Sequence, residues 1–196
     1  MEKRRPYRMQ ERALASEATG HRILAAAQQL FGELLYDQVS LHAVAVRAGV
    51  TVQTVLRRFT SKEELFAAVT QGMAQQIRHE LEQAPVGEVT GAVRTKIEIY
   101  ERWGDEVVHR LTQEQRTPAI RAVTEGGRRS HYAWVERVLG PLLADRPTDV
   151  RRHQLAQLIA VTDLYVWKVL RRDLGLSREE TERAMRDLVQ RITDPG

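Results

Sequence analysis

The sequence predicts an all-α protein, and three observations support that fold class. Apolar residues recur every three or four positions through most of the chain, as they do on the buried face of a helix. Nowhere do apolar and polar residues alternate over the length of a strand. Glycine and proline occur mainly where one apolar stripe ends and the next begins, which is typical of turns between helices.

Composition narrows the class of protein further. The chain has 196 residues, of which 42% are apolar, enough to bury a core. Charged residues make up 29%, but the net charge is only +4, so any affinity for polyanions must come from local clusters. The absence of cysteine excludes disulfides and thiolate metal sites. With no secretory signal and no membrane-length apolar run, we expect a cytoplasmic protein without metal or cofactor.

The stretch from Val39 to Phe66 has the pattern of a helix-turn-helix followed by a third helix. Ser40 is a capping residue type that precedes a helical apolar stripe. Gly49 ends that stripe where a left-handed backbone is needed, which glycine adopts without strain. Thr51 then caps the next predicted helix, and Ser61 with Glu64 forms a predicted capping box for the third.

The second helix of this motif presents polar and basic side chains outward, as a helix in a DNA major groove does. Residues 42–62 contain four basic residues and no acid. We expect Gln53 and Arg57 to read bases, and Ser40 and Lys62 to contact phosphates. The full set of predicted DNA-contacting residues is Ser40, His42, Arg47, Thr51, Gln53, Thr54, Arg57, Arg58 and Lys62.

Residues 17–77 resemble the DNA-binding domain of the TetR family of transcriptional repressors. The matching residues are Ile23, Ala26, Ala27, Leu30, Phe31, Tyr36, Asp37, Val39, Ser40, Val44, Ala45, Ala48, Gly49, Val50, Thr54, Phe59 and the run from Ser61 to Leu65. Two positions depart from the family pattern: Leu35 stands for a glycine, and Leu56 for a tyrosine that touches a phosphate. The resemblance implies a homodimer that binds a palindromic operator and is released by a small effector.

The predicted organisation has three parts. Residues 1–16 form a basic arm before helix 1, residues 17–83 form the DNA-binding domain, and residues 88–193 form an effector-binding and dimerisation domain. A long fourth helix from Ser61 links the domains and ends before Pro85. In the second domain we expect a helix break at Gly126–Gly127 and an unbroken helix over about 150–174.

Large aromatic residues are concentrated on the helices of the second domain. They either fill its core or line an apolar cavity with a few polar groups, as in a ligand pocket. The predicted ligand-binding residues are Tyr100, Trp103, His131, Trp134, Asp163 and Trp167. This lining favours a small apolar or amphipathic effector.

The last two long helices each carry an apolar stripe, and two copies would build a four-helix bundle. The predicted dimer interface consists of Leu155, Ile159, Thr162, Val166, Ala184, Met185, Leu188 and Ile192.

Two other functions compete with a ligand-responsive repressor. The chain would instead be an activator or a constitutive DNA-binding protein if its second domain is filled. A helical enzyme is more remote: the single Glu-x-x-His step at Glu106–His109 has no second copy, as a di-iron bundle requires.

Overall fold

The computed structural model describes the backbone of residues 4–194, and the side chains of residue 11 and residues 14–194. Within that part of the chain there are nine α-helices and no strand, so the all-α prediction is confirmed. The helices are α1 (Arg4–Glu33), α2 (Leu41–Ala48), α3 (Val52–Leu56), α4 (Lys62–Glu82), α5 (Val89–Leu111), α6 (Pro118–Val138), α7 (Thr148–Val161), α8 (Leu164–Lys168) and α9 (Arg178–Thr193). None of these described helices is apolar over a length that could cross a membrane.

The chain divides into two compact units, Met1–Met73 and Ala74–Gly196, which we call the first and the second unit. The division falls inside α4, so this helix contributes residues to both units. The domain limits drawn from the sequence, at residues 83 and 88, stay a prediction about function.

In the first unit, α1 packs against α2, and α2 packs against α3. Three aromatic rings form the centre of its core. Phe31 lies 5.0 Å from Phe66 and 5.7 Å from Tyr36, and Tyr36 lies 5.2 Å from Phe66, all measured between ring centroids. These edge-on and offset arrangements are the favourable ones for aromatic pairs, so the rings fix the position of α1 relative to α4 within this unit.

The predicted turn of the helix-turn-helix is confirmed in detail. Ser40 Oγ accepts a hydrogen bond from Ala43 N at 3.1 Å and so caps α2. Gly49 ends α2 in a left-handed conformation, with φ 64° and ψ 42°. Thr51 Oγ1 accepts from Thr54 N at 3.2 Å and caps α3.

Two predictions about the first unit are wrong. Helix α1 begins at Arg4 and not near Glu17, because the intervening residues are mostly strong helix formers with a single early proline. The basic side chains of the predicted arm lie outside the described residues, because only Glu11, Leu14, Ala15 and Ser16 are described there. The capping box at α4 is only half formed: Ser61 caps Glu64 N, but the Glu64 carboxylate accepts from Thr60 N at 2.6 Å.

Two predictions about the second unit are also wrong. Helix α6 runs through Gly126 and Gly127 without a break, because flanking buried positions hold it and a helical glycine costs only about 1 kcal/mol. The predicted helix over residues 150–174 is interrupted at Thr162 and Asp163, after which α8 continues into a π-helical turn, Val169–Asp173. Asp163 Oδ1 accepts from Tyr165 N at 2.9 Å, so this residue starts a new helix instead of continuing the old one.

The second unit packs α5 against α6, α8 and α9, with α7 against α6 and α9. Trp167 of α8 is fully buried against α5. A Cβ atom at Gly104 would approach the Trp167 ring to 2.5 Å, so the glycine is what allows this indole to reach the centre of the core.

Gly49→Ala tests the turn. The alanine would meet no neighbouring atom, so its cost is that of a left-handed backbone alone, about 1–2 kcal/mol of unfolding free energy. Gly72→Ala, in the middle of α4 with the same open surroundings, is the matched control and should gain about 0.5–1 kcal/mol. Urea and thermal unfolding measure both variants. Equal effects of the two substitutions would contradict the turn assignment.

Candidate nucleic-acid interface

The exposed face of α3 is formed by Gln53 and Arg57. These residues are four apart and therefore share one side of the helix, while Val55, two residues from each, points to the opposite side. Val55 is completely buried, and Gln53 and Arg57 are exposed. The short helix is thus anchored by one apolar residue and offers two long polar side chains to a partner.

Arg57 differs from the other basic residues predicted to contact DNA. Arg47 forms an ion pair with Glu33 at 2.7 Å. Lys62 Nζ donates to the Tyr36 carbonyl at 3.1 Å and lies 4.4 Å from the centre of the Tyr36 ring. Within the described residues, Arg57 is the member of this group without an intramolecular polar partner.

Arg58 has a structural position that the sequence did not reveal. Its guanidinium donates to the backbone carbonyl and to the hydroxyl of Ser16 in α1. Gly20 leaves room for it, since a Cβ there would meet Arg58 Nη1 at 2.7 Å. Arg58 therefore ties the end of α3 to α1, and its guanidinium is not on the Gln53–Arg57 face.

The predicted hydroxyl contacts are also part of the local structure. Ser40 and Thr51 act as helix caps, and Thr51 Oγ1 lies 2.9 Å from Thr54 Oγ1. A capping oxygen at the start of a helix sits beside free backbone N–H groups, where a phosphate binds well. His42, on α2, is exposed.

The two departures from the family pattern both expose leucine. Leu35 follows α1 with φ −62° and ψ 147°, so this turn needs no left-handed residue and tolerates the missing glycine. Leu56 is 42% exposed on the flank of α3 beside the Gln53–Arg57 face. It cannot donate the hydrogen bond to a phosphate that the family's tyrosine provides.

Comparison with known proteins decides the family. Residues 23–69 match the family model for bacterial regulatory proteins of the tetR family. By this match, residues 23–69 carry the DNA-binding domain of a TetR-family transcriptional regulator. The matched residues cover the end of α1, the whole helix-turn-helix and the start of α4, which are the elements that position Gln53 and Arg57. TetR-family regulators are not enzymes, which agrees with the expectation from the sequence.

Solved structures resemble the chain over both units, at sequence identities that support the fold alone. A transcriptional regulator from Rhodococcus sp. Rha1 has a TM-score of 0.68 at 18% identity, covering 89% of this chain and 96% of its own. A regulator of the TerR/AcrR family from Aquifex aeolicus VF5 has a TM-score of 0.66 at 17% identity, covering 89% and 99%. The multidrug binding protein EbrR, complexed with imidazole, has a TM-score of 0.56 at 21% identity, covering 86% and 88%. No curated protein sequence matches the chain.

The aromatic residues predicted to bind a ligand in this regulator lie in the core of the second unit. Tyr100, Trp134 and Trp167 are buried, and Trp103 packs against the same cluster. A ligand could therefore reach these rings only after the core repacks. A cavity of about 590 Å³ does open in this unit, but it is lined by other residues: Tyr132, Glu136, Ala144, Arg146, Thr148, Arg151, Arg152, Leu155, Ala156 and Ile159.

Lys96 is the residue of this core that the sequence analysis missed. It is only 3% exposed, although lysine is rarely buried without a partner. Its Nζ lies 2.9 Å from His131 Nδ1, 4.5 Å from the centre of the Trp134 ring and 5.4 Å from that of Tyr100. The signal was present in the sequence, because Lys96 falls on the apolar stripe of Val93, Ile97 and Tyr100.

Lys96 and His131 form a chain of two hydrogen bonds, here called the relay, that ends at a backbone carbonyl in the last turn of α7. His131 Nε2 lies 3.0 Å from the Ile159 carbonyl, so this nitrogen carries the proton and Nδ1 accepts from Lys96. The Tyr100 hydroxyl donates a hydrogen bond to the Thr162 carbonyl at 2.8 Å. The carbonyls at the end of α7, which lack helical partners, are thus satisfied by side chains from α5 and α6.

Burial shifts the titration of these groups. Desolvation lowers the pKa of Lys96 to about 7, and the charge of Asp163 opposes that shift. Desolvation, followed by the nearby Lys96 charge, lowers the pKa of His131 to about 4, although the hydrogen bond to Ile159 opposes it. Burial raises the pKa of Tyr100 well above its ordinary value. The relay therefore has a neutral imidazole at neutral pH.

The residues predicted to form the dimer interface are divided between core and surface. Thr162 and Met185 are fully buried within the protomer, so they support the helices and do not present a surface. Leu188 is 40% exposed on α9, and Leu155, Ile159, Val166, Ala184 and Ile192 are half-buried. The accessible members of the predicted set thus lie on α7, α8 and α9.

His131 should make the protein acid-sensitive. Between pH 6.5 and about 4 the unfolded chain binds a proton that folded His131 excludes, so the free energy of unfolding should fall as the pH is lowered through this window. In His131→Gln this fall should be smaller, because glutamine can keep both hydrogen bonds without titrating. Denaturant unfolding at several pH values measures the slopes, with exposed His153→Gln as the control. Equal slopes in wild type and His131→Gln would show that His131 is not excluded from protonation.

Proposed function

We propose that this regulator is a ligand-responsive repressor that binds a palindromic operator as a homodimer. The observation that carries the proposal is the face of α3, where the side chains of Gln53 and Arg57 have no polar partner among the described residues. The neighbouring basic residues Arg47, Arg58 and Lys62 are all paired within the unit. A short, anchored helix with free Gln and Arg side chains is suited to the major groove. Arginine pairs with guanine, and glutamine with adenine, through two hydrogen bonds each.

The other exposed groups supply position and affinity more than sequence preference. Ser40 and Thr51 stand at helix N-termini, where backbone N–H groups attract phosphate. His42 lies on the exposed side of α2. Leu56 offers an apolar contact beside the reading face, suited to a thymine methyl group. Arg47 and Lys62 keep their charges near this surface while paired within the protein.

A homodimer would explain how both half-sites of a palindromic operator are bound at once. Two recognition helices contact successive major grooves when they are about 34 Å apart, one turn of DNA. The accessible apolar residues of α7 and α9, with Leu188 the most exposed of the predicted set, support dimerisation through these helices. Two copies of such a helix pair form a four-helix bundle.

Release by an effector is supported by the position of α4 and by a related structure. Because α4 contributes residues to both units, a change in the second unit can alter the helix that follows the recognition helix. EbrR, a protein of similar fold, is a multidrug binding protein and was solved with imidazole. An amphipathic effector in the aromatic core would favour the form that does not fit the operator.

Activation is the alternative, and reporter transcription distinguishes it. A repressor lowers transcription from its operator and loses this effect when the effector is added. If deleting the gene for this protein lowers transcription of the genes that it binds, the protein is an activator. Footprinting the protein on genomic DNA provides the operator on which both measurements depend.

Arg57→Ala should reduce discrimination among operator sequences. Loss of one bidentate base contact should cost about 1–3 kcal/mol on the preferred site and much less on other DNA. Binding is measured by fluorescence anisotropy on the footprinted operator and on a scrambled duplex. Arg78→Ala, which removes an exposed arginine of the second unit, is the control. The docking assignment is wrong if Arg57→Ala leaves the ratio of the two affinities unchanged.

Arg58→Ala distinguishes a structural role from base recognition. It should lower thermal stability, because it frees the two Ser16 oxygens, whereas Arg57→Ala should leave stability within about 0.5 kcal/mol of wild type. The two adjacent arginines are matched in charge and length. A stable Arg58→Ala protein with lost base discrimination would reverse their roles.

Leu188→Glu should dissociate the dimer. A charge placed in the apolar seam of a four-helix bundle is costly without a partner. Analytical ultracentrifugation at micromolar concentration measures the change, with Val86→Glu, at an exposed valine outside α7–α9, as the control. A dimer that sediments unchanged in Leu188→Glu would exclude this interface.

A further inference from the structure

We propose that Lys96 anchors the effector and that the effector is an amphipathic carboxylate. This inference rests on the proposed function, because it assumes that an effector binds the second unit. It goes further by naming the chemical class of the effector and the residue that recognises it.

The first reason is that Lys96 has no acidic partner in its buried site. Among the described residues, its Nζ is hydrogen-bonded to His131 and otherwise faces the rings of Trp134 and Tyr100. Asp163 influences Lys96 electrostatically, but its carboxylate caps α8 through Tyr165 N and forms no ion pair with Lys96. A buried ammonium group is costly unless it is paired and hydrogen-bonded.

The second reason is an unsatisfied donor beside the lysine. Trp134 is 3% exposed, and its indole Nε1 has no hydrogen-bond partner among the described residues. Leaving a buried N–H group unpaired costs about 1–3 kcal/mol. A carboxylate has two oxygens that accept hydrogen bonds, so one ligand group can serve both the ammonium and an indole N–H after modest side-chain movement.

The surroundings specify the rest of the ligand. Apolar residues of α5 and α6 enclose the relay, and the rings of Trp134 and Tyr100 present faces to Lys96. An apolar or aromatic body with a single acid group matches this environment. A cationic ligand would place two positive groups together in a site of low dielectric constant.

The relay gives such a ligand a route to a conformational effect. A carboxylate that binds the Lys96 amine draws this donor away from His131, whose other nitrogen donates to the Ile159 carbonyl at the end of α7. Because the rings are packed in the core, the ligand must bind a repacked form more tightly than the form described here. A ligand with that difference in affinity shifts the equilibrium between the two forms.

Titration calorimetry with matched acid and neutral probes tests the proposal. The acids are decanoate, 4-phenylbutyrate and indole-3-acetate, and each is paired with its own amide. In wild type, at least one acid should bind about tenfold or more tightly than its amide, the scale of one charged hydrogen bond. Lys96→Met should abolish this preference, and Lys168→Met, which removes a half-buried lysine of the same unit that is paired with Asp173, should retain it.

The protonation of Lys96 supplies a readout that a purely structural lysine would not give. With a pKa of about 7, free Lys96 is mostly neutral at pH 8, whereas a lysine paired with a carboxylate is charged. Binding of the acid at pH 8 should therefore take up a proton, seen as a binding enthalpy that varies with the buffer's ionisation enthalpy. His131, Asp163 and Tyr100 also face Lys96, so the same titration in Lys96→Met, where uptake should vanish, assigns the proton.

The outcomes are decisive in both directions. An acid preference that depends on Lys96 and is accompanied by proton uptake supports the site. Equal binding of acids and amides, binding of none of the acids, or a preference retained in Lys96→Met would overturn it. Trp134→Phe, which keeps an aromatic ring but removes the indole N–H, should weaken the acid more than the amide, because a hydrogen bond to a charged acceptor is the stronger one. It provides a second variant if Lys96→Met is poorly folded. Operator binding by the free protein is measured separately, so failure of the proposed function and failure of the carboxylate site remain distinct.

Discussion

Helix α3, the proposed recognition helix, depends on tertiary contacts, because it is too short to exist alone. Helix α3 spans only Val52–Leu56, whereas isolated helices below about 12–15 residues are marginal in water. Three constraints hold it: the left-handed turn at Gly49, the burial of Val55, and the Arg58 contact with Ser16. Since the backbone of α3 is fixed at both ends, the directions of Gln53 and Arg57 are fixed as well. A reading face needs that rigidity, because a loosely held helix would contact many sequences equally well.

The core of the second unit is held together by polar groups as well as by apolar packing. The end of α7 lies inside the unit, where its last carbonyls cannot be hydrated, and the side chains of His131 and Tyr100 donate to them. These two donors come from α6 and α5, so the break between α7 and α8 is a property of the assembled unit. Lys96 Nζ in turn lies 2.9 Å from Nδ1 of His131, so α5 is tied to the same arrangement twice.

The same distinction explains what could be predicted from the sequence. The helix-turn-helix was predictable because Ser40, Gly49 and Thr51 act on backbone groups within a few residues of themselves. The break at Thr162 was not, since residues 150–174 have an unbroken helical pattern and the donors that stabilise the break come from distant helices. Gly126 and Gly127 were misleading for a related reason: local propensity favours a break, but the buried residues on either side of them keep α6 continuous.

Side-chain roles were harder to predict than elements. Arg57 and Arg58 are adjacent and chemically identical in the sequence, and only the position of Ser16 and Gly20 on α1 separates the free residue from the anchored one. Lys96 could have been found, because it occupies a position on the apolar stripe of α5. A lysine on a helix is usually assumed to extend its charge to solvent, and under that assumption the burial of Lys96 goes unnoticed.

The location of Lys96 also bears on how a switch could work. A ligand in an open surface groove can bind without disturbing the core, and if it binds both forms equally it shifts no equilibrium. A ligand that reaches Lys96 has to displace packed rings and compete with His131 for the ammonium group. Its affinity therefore differs between the packed and the repacked core by necessity. By linkage, whatever favours the packed core weakens this ligand by the same factor. If operator DNA binds the packed form, the buried lysine converts recognition of a small acid into release of DNA.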